Sequence, residues 1–191
     1  MARQLLIVSA FVAALSMVLT AGVKIKTHHD KEFAFRGLKT WAWHPDGAGD
    51  VKMALTDSDD PAALKRQLEP TIKSAVETEM GRRGWTFSAS GEADLRVFYY
   101  LLISASTSTQ QMGQFIQAVP EWGLPPIDGA TQSFKVVERG SLVIDMSAPA
   151  QETVVWRGVA QAEIDRENSQ ERRHERIRAA IRDMLKKFPP K

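Results

Sequence analysis

The chain contains no cysteine and no surplus of either charge, and each shortage removes a class of explanation. Without cysteine there are no disulfides, no thiolate nucleophile and no cysteine-ligated metal, so stability must come from packing. Lysine and arginine number 25 against 23 acidic residues, a formal net charge of +2. That balance gives no electrostatic argument for nucleic acid or for an anionic bilayer surface. Internal repeats, low-complexity tracts, a phosphate-cradling glycine loop and a nucleophile elbow are also missing from the sequence.

What is present begins at the N-terminus. Arg3 precedes an apolar run from Leu5 to Leu19 that closes on Thr20, Ala21 and Gly22. A short positive start, an apolar core and a small-residue exit are the parts of a bacterial export signal. Cleavage after Gly22 places Thr20 and Gly22 at the small-residue positions, whereas cleavage after Ala21 puts the bulkier Leu19 at the outer one. Leu5 to Val23 is also near the roughly 20 apolar residues of a spanning helix, so an uncleaved membrane anchor is the alternative. Ser9, Ser16 and Thr20 weaken that alternative, and a buried soluble helix is the third reading. Residues 23–191 suit one domain.

The pattern along that domain is α+β. Val23, Ile25 and Thr27 alternate with Lys24, Lys26 and His28, the period of a strand with one buried face. Trp41 and Trp43 mark a second strand, and the polar stretch Gly47 to Asp60 reads as a loop. Asp60 and Pro61 start a helix carried by Leu64, Leu68, Ile72, Ala75, Val76 and Met80, with Gly84 as a left-handed stop. Pro70 predicts a kink or a restart within it. Leu95 to Ile103 is apolar on both faces apart from Arg96, as in a central strand. Phe134–Val137, Ser141–Met146 and Thr153–Ile164 read as further strands, with hairpin spacing that predicts antiparallel neighbours. Asn168 and Glu171 have capping-box spacing before a last helix with Ile177, Ala180, Ile181, Met184, Leu185 and Phe188 on one stripe, ended by Pro189 and Pro190. The architecture expected is an antiparallel sheet of about five strands with two amphipathic helices on one face, preceded by the N-terminal signal or anchor helix.

Residues 104–132 lack periodicity, and such long loops are binding loops or disordered segments. Phe115, Trp122, Leu124 and Ile127 make this one a candidate interaction loop, with Trp122 expected to be exposed. The other tryptophans, Trp41, Trp43, Trp85 and Trp156, are expected in the core.

Chemistry is sparse elsewhere. His28, His29 and Asp30 offer ligand atoms, but adjacent strand residues point to opposite faces, so no metal is expected. Asp57, Asp59 and Asp60 lack the alternation of a calcium loop and read as capping and solubility. His44 suits a turn and His174 a helix edge. Asp145 reads as a charge on the exposed sheet side or at a hairpin end; a site role for it requires Arg157 or Arg96 as partner. Neither Ser141 nor the run Ser104–Thr109 has a histidine at motif spacing, so no catalytic residue and no cofactor is expected.

Ser141-Leu-Val-Ile-Asp-Met146, Val155-Trp-Arg-Gly158 and Phe188-Pro-Pro190 follow Gly37-Leu-Lys-Thr-Trp-Ala-Trp43, Met80-Gly-Arg-Arg-Gly-Trp85 and Ala93-Asp-Leu95. This ordered set resembles the bacterial family called domain of unknown function 4136, over about Phe33 to Pro190 apart from the middle loop. The resemblance implies an envelope protein, usually a lipoprotein, of no established activity, and it carries over no catalytic residue. Leu19-Thr20-Ala21 is what precedes the acylated cysteine of such proteins, and Gly22 stands where that cysteine would be. The expected product is a periplasmic protein, or one anchored by residues 1–22 and facing the periplasm.

Three functions follow. The first is a non-catalytic envelope domain that binds or scaffolds an envelope protein or a lipid or glycan surface. A carrier or sensor of a small apolar ligand between sheet and helices is the second, and a hydrolase using His28, His44 or His174 with a carboxylate is the third.

Overall fold

A computed structural model describes residues 23–53, 60–103, 140–149, 153–162 and 169–190. In chain order the elements are β1 (Lys24–His29), β2 (Thr40–Trp43), β3 (Gly49–Met53), α1 (Pro61–Arg82), β4 (Thr86–Phe87), β5 (Leu95–Ile103), β6 (Ser141–Ser147), β7 (Val154–Gln161) and α2 (Gln170–Leu185). The expected N-terminal helix, the strand Phe134–Val137 and the loop 104–132 lie outside the described residues.

The sheet is α+β as expected, but it has seven strands and is mixed, which corrects the all-antiparallel expectation. Its order is β1-β7-β6-β5-β2-β4, with β3 also paired to β5. The β1–β7, β7–β6 and β6–β5 pairs are antiparallel, whereas β2–β5, β3–β5 and β2–β4 are parallel. Parallel neighbours need a long crossover, and α1 supplies it between β3 and β5. The strands missing from the expectation were the two-residue β4 and β3, the latter in the stretch read as a loop. Gly47, Gly49 and Asp50 obscure its alternation, and Gly49 is glycine for a tertiary reason. A Cβ there would meet the Tyr99 ring at 2.2 Å, so the ring needs bare backbone beneath it.

Asp60 caps α1 by accepting hydrogen bonds from the Ala62 and Ala63 N–H groups, and Pro61 fills the first turn. The helix then runs through Pro70 without restarting. Pro70 is exposed, so the carbonyl of Arg66, deprived of its partner, can turn to water. At the other end Trp85 N–H donates to the Met80 carbonyl and Gly84 N–H to that of Gly81, with Gly84 at φ +79°. Helix α2 is capped by Ser169, one residue later than the Asn168 read from spacing, through a bond from Arg172 N–H.

Both helices cover one sheet face. Register places Leu95, Val97, Tyr99, Leu101, Leu142, Ile144, Met146, Trp156 and Ala160 there, against Leu68, Ile72, Val76 and Met80 of α1 and Ala180, Ile181, Met184 and Leu185 of α2. Thr71 Oγ1 and His174 Nδ1 share a hydrogen bond that ties the helices together.

Candidate functional site

Side chains alternate across a strand, so the same register defines the face turned away from the helices. Asp145 and Val143 of β6 stand opposite Arg157 and Val159 of β7, then opposite Phe98 and Tyr100 of β5. Arg157 Nε and Nη2 donate to the two carboxylate oxygens of Asp145, each at 2.6 Å. Asp145 is 3% exposed and Arg157 1%, so the expectation of a charge on an exposed sheet side is corrected. The partner is one of the two that a site role required. Of the five buried polar residues among those described, four (Ser141, Asp145, Arg157 and Gln161) occupy this pair of strands.

Burial pushes the Asp145 carboxyl up from its usual range, while the Arg157 charge and hydrogen bonds pull against it. Burial likewise disfavours the Arg157 charge, yet facing Asp145 keeps it a guanidinium. The bidentate geometry is that of an ion pair. Its neighbours respond to it. His28, opposite Arg157 on β1, is held below its ordinary value by burial and by Lys26, Arg157 and His29. The Tyr100 phenol is raised by burial and by Asp145.

The arrangement joins β6 to β7. Both Asp145 oxygens face Arg157, and Ser141 lies four residues along β6, roughly 14 Å away at strand rise. The histidines are spread over the fold: His28 and His29 in β1, His44 after β2 with its ring edge-on to Phe98 at 5.7 Å, and His174 in α2. No group of three metal-ligating side chains occurs among the described residues. Asp60 is a cap, Asp57 and Asp59 lie outside the described residues, and so do Phe115, Trp122, Leu124 and Ile127.

Several of the motifs that carry the family resemblance pack together around Phe188 and the C-terminal ends of the helices. Phe188 packs on Trp85, Trp156 and Phe35 at ring separations of 5.2, 5.3 and 5.8 Å. Gly158 leaves room for the Trp156 indole, which a Cβ would meet at 2.5 Å. Arg83 Nε donates to the Leu185 carbonyl and its Nη1 to Glu79, locking the two helix ends together. Burial alone would raise the Glu79 carboxyl, but Arg83 and Arg82 outweigh it and hold Glu79 low. Asp94 accepts from the Lys39 and Thr40 N–H groups and the Thr40 hydroxyl, which pin β2 to β5 and hold its carboxyl low. Trp41, Trp85 and Trp156 are buried as expected, while Trp43 is half-buried with Nε1 donating to Glu77.

These contacts define an α+β domain whose sheet is closed on one side by two co-aligned helices and cross-tied on the other by an ion pair. The chain belongs to the family described as Domain of unknown function (DUF4136), whose model matches residues 25–190. A solved member of that family from Bacteroides thetaiotaomicron is 17% identical, with a TM-score of 0.53 over 87% of this chain and 96% of that one. That likeness shows the fold. A PDZ domain protein from Parabacteroides distasonis is 14% identical with a TM-score of 0.49, over 89% of this chain and 36% of that one. The PelC dodecamer from Paraburkholderia phytofirmans is 10% identical with a TM-score of 0.37, over 86% of this chain and 96% of that one. No curated protein matches the chain.

Proposed function

We propose that the chain is a non-catalytic cell-envelope domain that binds or scaffolds another envelope component, an envelope protein or a lipid or glycan surface. In this reading residues 104–132, with Phe115, Trp122, Leu124 and Ile127, make the contact. Export rests on the N-terminal segment, and no described helix is long and apolar enough to cross a membrane. The observation that carries the proposal is a single row of the sheet. Lys24 pairs with Gln161, Gln161 with Ser141 and Ser141 with Leu102, so Lys24 and Leu102 are three strand spacings apart, about 15 Å. β1 therefore begins at the same end of the sheet at which β5 ends and β6 begins. In this reading the contact residues and the address segment join the described fold at one end of the sheet, which supports a contact made where the address delivers the chain.

Replacing residues 106–137 with a short glycine-serine turn tests this. The variant should keep its circular dichroism and cooperative melt while losing its co-purifying envelope partners; partners that persist overturn the loop assignment.

The apolar-carrier reading has less support. The helix-covered face is filled, with Ile72, Val76, Met80, Ile181, Met184 and Leu185 at 0% exposure. A groove of about 520 Å³ along α1 is open to solvent and carries the charged side chains of Lys65, Arg66, Glu69, Lys73 and Glu77, unlike the enclosed site an apolar ligand needs. A co-purifying mass in native mass spectrometry would revive that reading.

A further inference from the structure

Among the described residues one side of the sheet ends at β1, which pairs only with β7. Two contacts fix the phase of its backbone bonds. Asp30 N–H donates to the Val155 carbonyl at 2.9 Å, continuing the β1–β7 register, and across β7 Ala162 N–H donates to the Gly140 carbonyl at 3.0 Å. Opposed residues of an antiparallel pair alternate between exchanging backbone bonds and exchanging none. Lys24, Lys26, His28 and Asp30 therefore direct their backbone groups at β7, whereas Ile25, Thr27 and His29 aim theirs outward. An edge of this kind is a template for another strand.

The edge is complementary to itself. When a second copy is laid alongside, antiparallel and with the helices of both copies on one side, a single register lets all three outward residues of each copy exchange bonds. Thr27 then faces Thr27 of the second copy, and Ile25 faces its His29. On the face turned away from the helices the same register sets Lys24 opposite Asp30 and Lys26 opposite His28. Lys24 and Asp30 carry opposite charges, which favours cross-strand neighbours. His28 is held below its ordinary value by burial, with Lys26, Arg157 and His29 adding to the effect, so near neutral pH it meets the lysine uncharged. Sliding one copy by two residues in either direction carries an outward residue past the end of the other β1, and in one direction it sets Lys26 against Lys26. Lysines on an edge discourage most pairings; here they select one.

We propose that β1 is a self-association edge, at which two copies of this chain pair their β1 strands about a twofold axis at Thr27 and join their sheets into one. The contact closes on itself, so through this edge assembly stops at two copies. It uses residues 24–30 and rests neither on the envelope reading nor on residues 104–132, so its failure leaves that reading to the loop deletion.

The chain has no cysteine, so an introduced thiol reports one place. Directly opposed residues have Cα atoms about 4.5–5.5 Å apart, within disulfide reach. Under mild oxidation Thr27→Cys in the full chain should give a covalent dimer. The two copies of Lys24 would lie six residues apart along the strands, roughly 20 Å, so Lys24→Cys alone should not crosslink, whereas Lys24→Cys mixed with Asp30→Cys should. Light scattering of the unmodified chain should give twice the chain mass. Lys24→Glu should weaken the dimer several-fold with its circular dichroism unchanged, and adding Asp30→Lys should restore it. Asp30 also accepts the Glu32 N–H, so Lys24→Glu is the change that isolates charge. A chain that stays monomeric at high concentration overturns the proposal. Lys24→Cys crosslinking as readily as Thr27→Cys overturns it too, as does a double reversal that restores nothing. Thr27→Cys captured in cells by a different protein, with no homodimer, overturns it in favour of a foreign strand.

Discussion

The face of the sheet that carries α1 and α2 and the face turned away from them bury side chains by different physics. On the helix face the contacts are apolar, non-directional and spread over many residues, so the loss of any one is partly absorbed by its neighbours. On the other face Val143 and Val159 flank a bidentate ion pair, and that contact is directional. A slip of β7 by one residue against β6 would separate Asp145 from Arg157 and turn the guanidinium toward the helices. Apolar packing supplies most of the stability, and the pair specifies register. Buried pairs are seldom strong net stabilisers, which is why a register role is the better account of this one.

The largest expected effect breaks the pair. Arg157→Met leaves Asp145 buried without its partner and should cost about 3–5 kcal/mol in urea denaturation. The double variant with Asp145→Leu should recover most of that loss. If the single change costs under about 1 kcal/mol, the pair is not desolvated as described. Next comes the helix face, where Phe188→Ala empties the space among Trp85, Trp156 and Phe35. A loss of about 3–5 kcal/mol is expected, with a red-shifted tryptophan emission as water enters. Gly158→Ala presses a methyl into the Trp156 indole and should cost about 1–3 kcal/mol; a neutral result would mean that the indole can move aside.

The smallest effect is set by pH. The three hydrogen bonds at Asp94 hold its carboxyl below the ordinary range, so the stability it contributes is complete above that range and is lost as pH falls through the depressed value. Asp94→Asn should therefore be less stable than the parent near neutrality, with the gap closing under acid. A gap that is constant with pH would assign the effect to shape rather than charge.

Sequence legibility followed the range of the interactions. The caps at Asp60 and Gly84, the apolar stripes of both helices and the strand at Leu95–Ile103 depend on residues a few positions apart, and all were readable. β3 was not, because its evidence lies in Tyr99, 50 positions beyond Gly49, whose ring forbids a side chain there. Its parallel pairing was invisible for a related reason, since hairpin spacing says nothing about a strand returned by a helix. Asp145 was singled out with Arg157 as a partner, yet its burial was misjudged. Alternation assigned it a face but could not show that this face is closed to solvent. The motifs on which the family resemblance was read, Trp156-Arg157-Gly158 and Phe188-Pro189-Pro190 among them, mark packing and register.

By itself the sequence determined the address-like N-terminus, the freedom from disulfides, the two amphipathic helices and most of the strands, because composition and periodicity are local properties. Only the tertiary structure decided the mixed order of the sheet, the desolvated Asp145–Arg157 pair and the common end of the sheet at which β1 begins and β5 ends. Those depend on which strands become neighbours, and strand pairing is a contest among distant segments that no local pattern records.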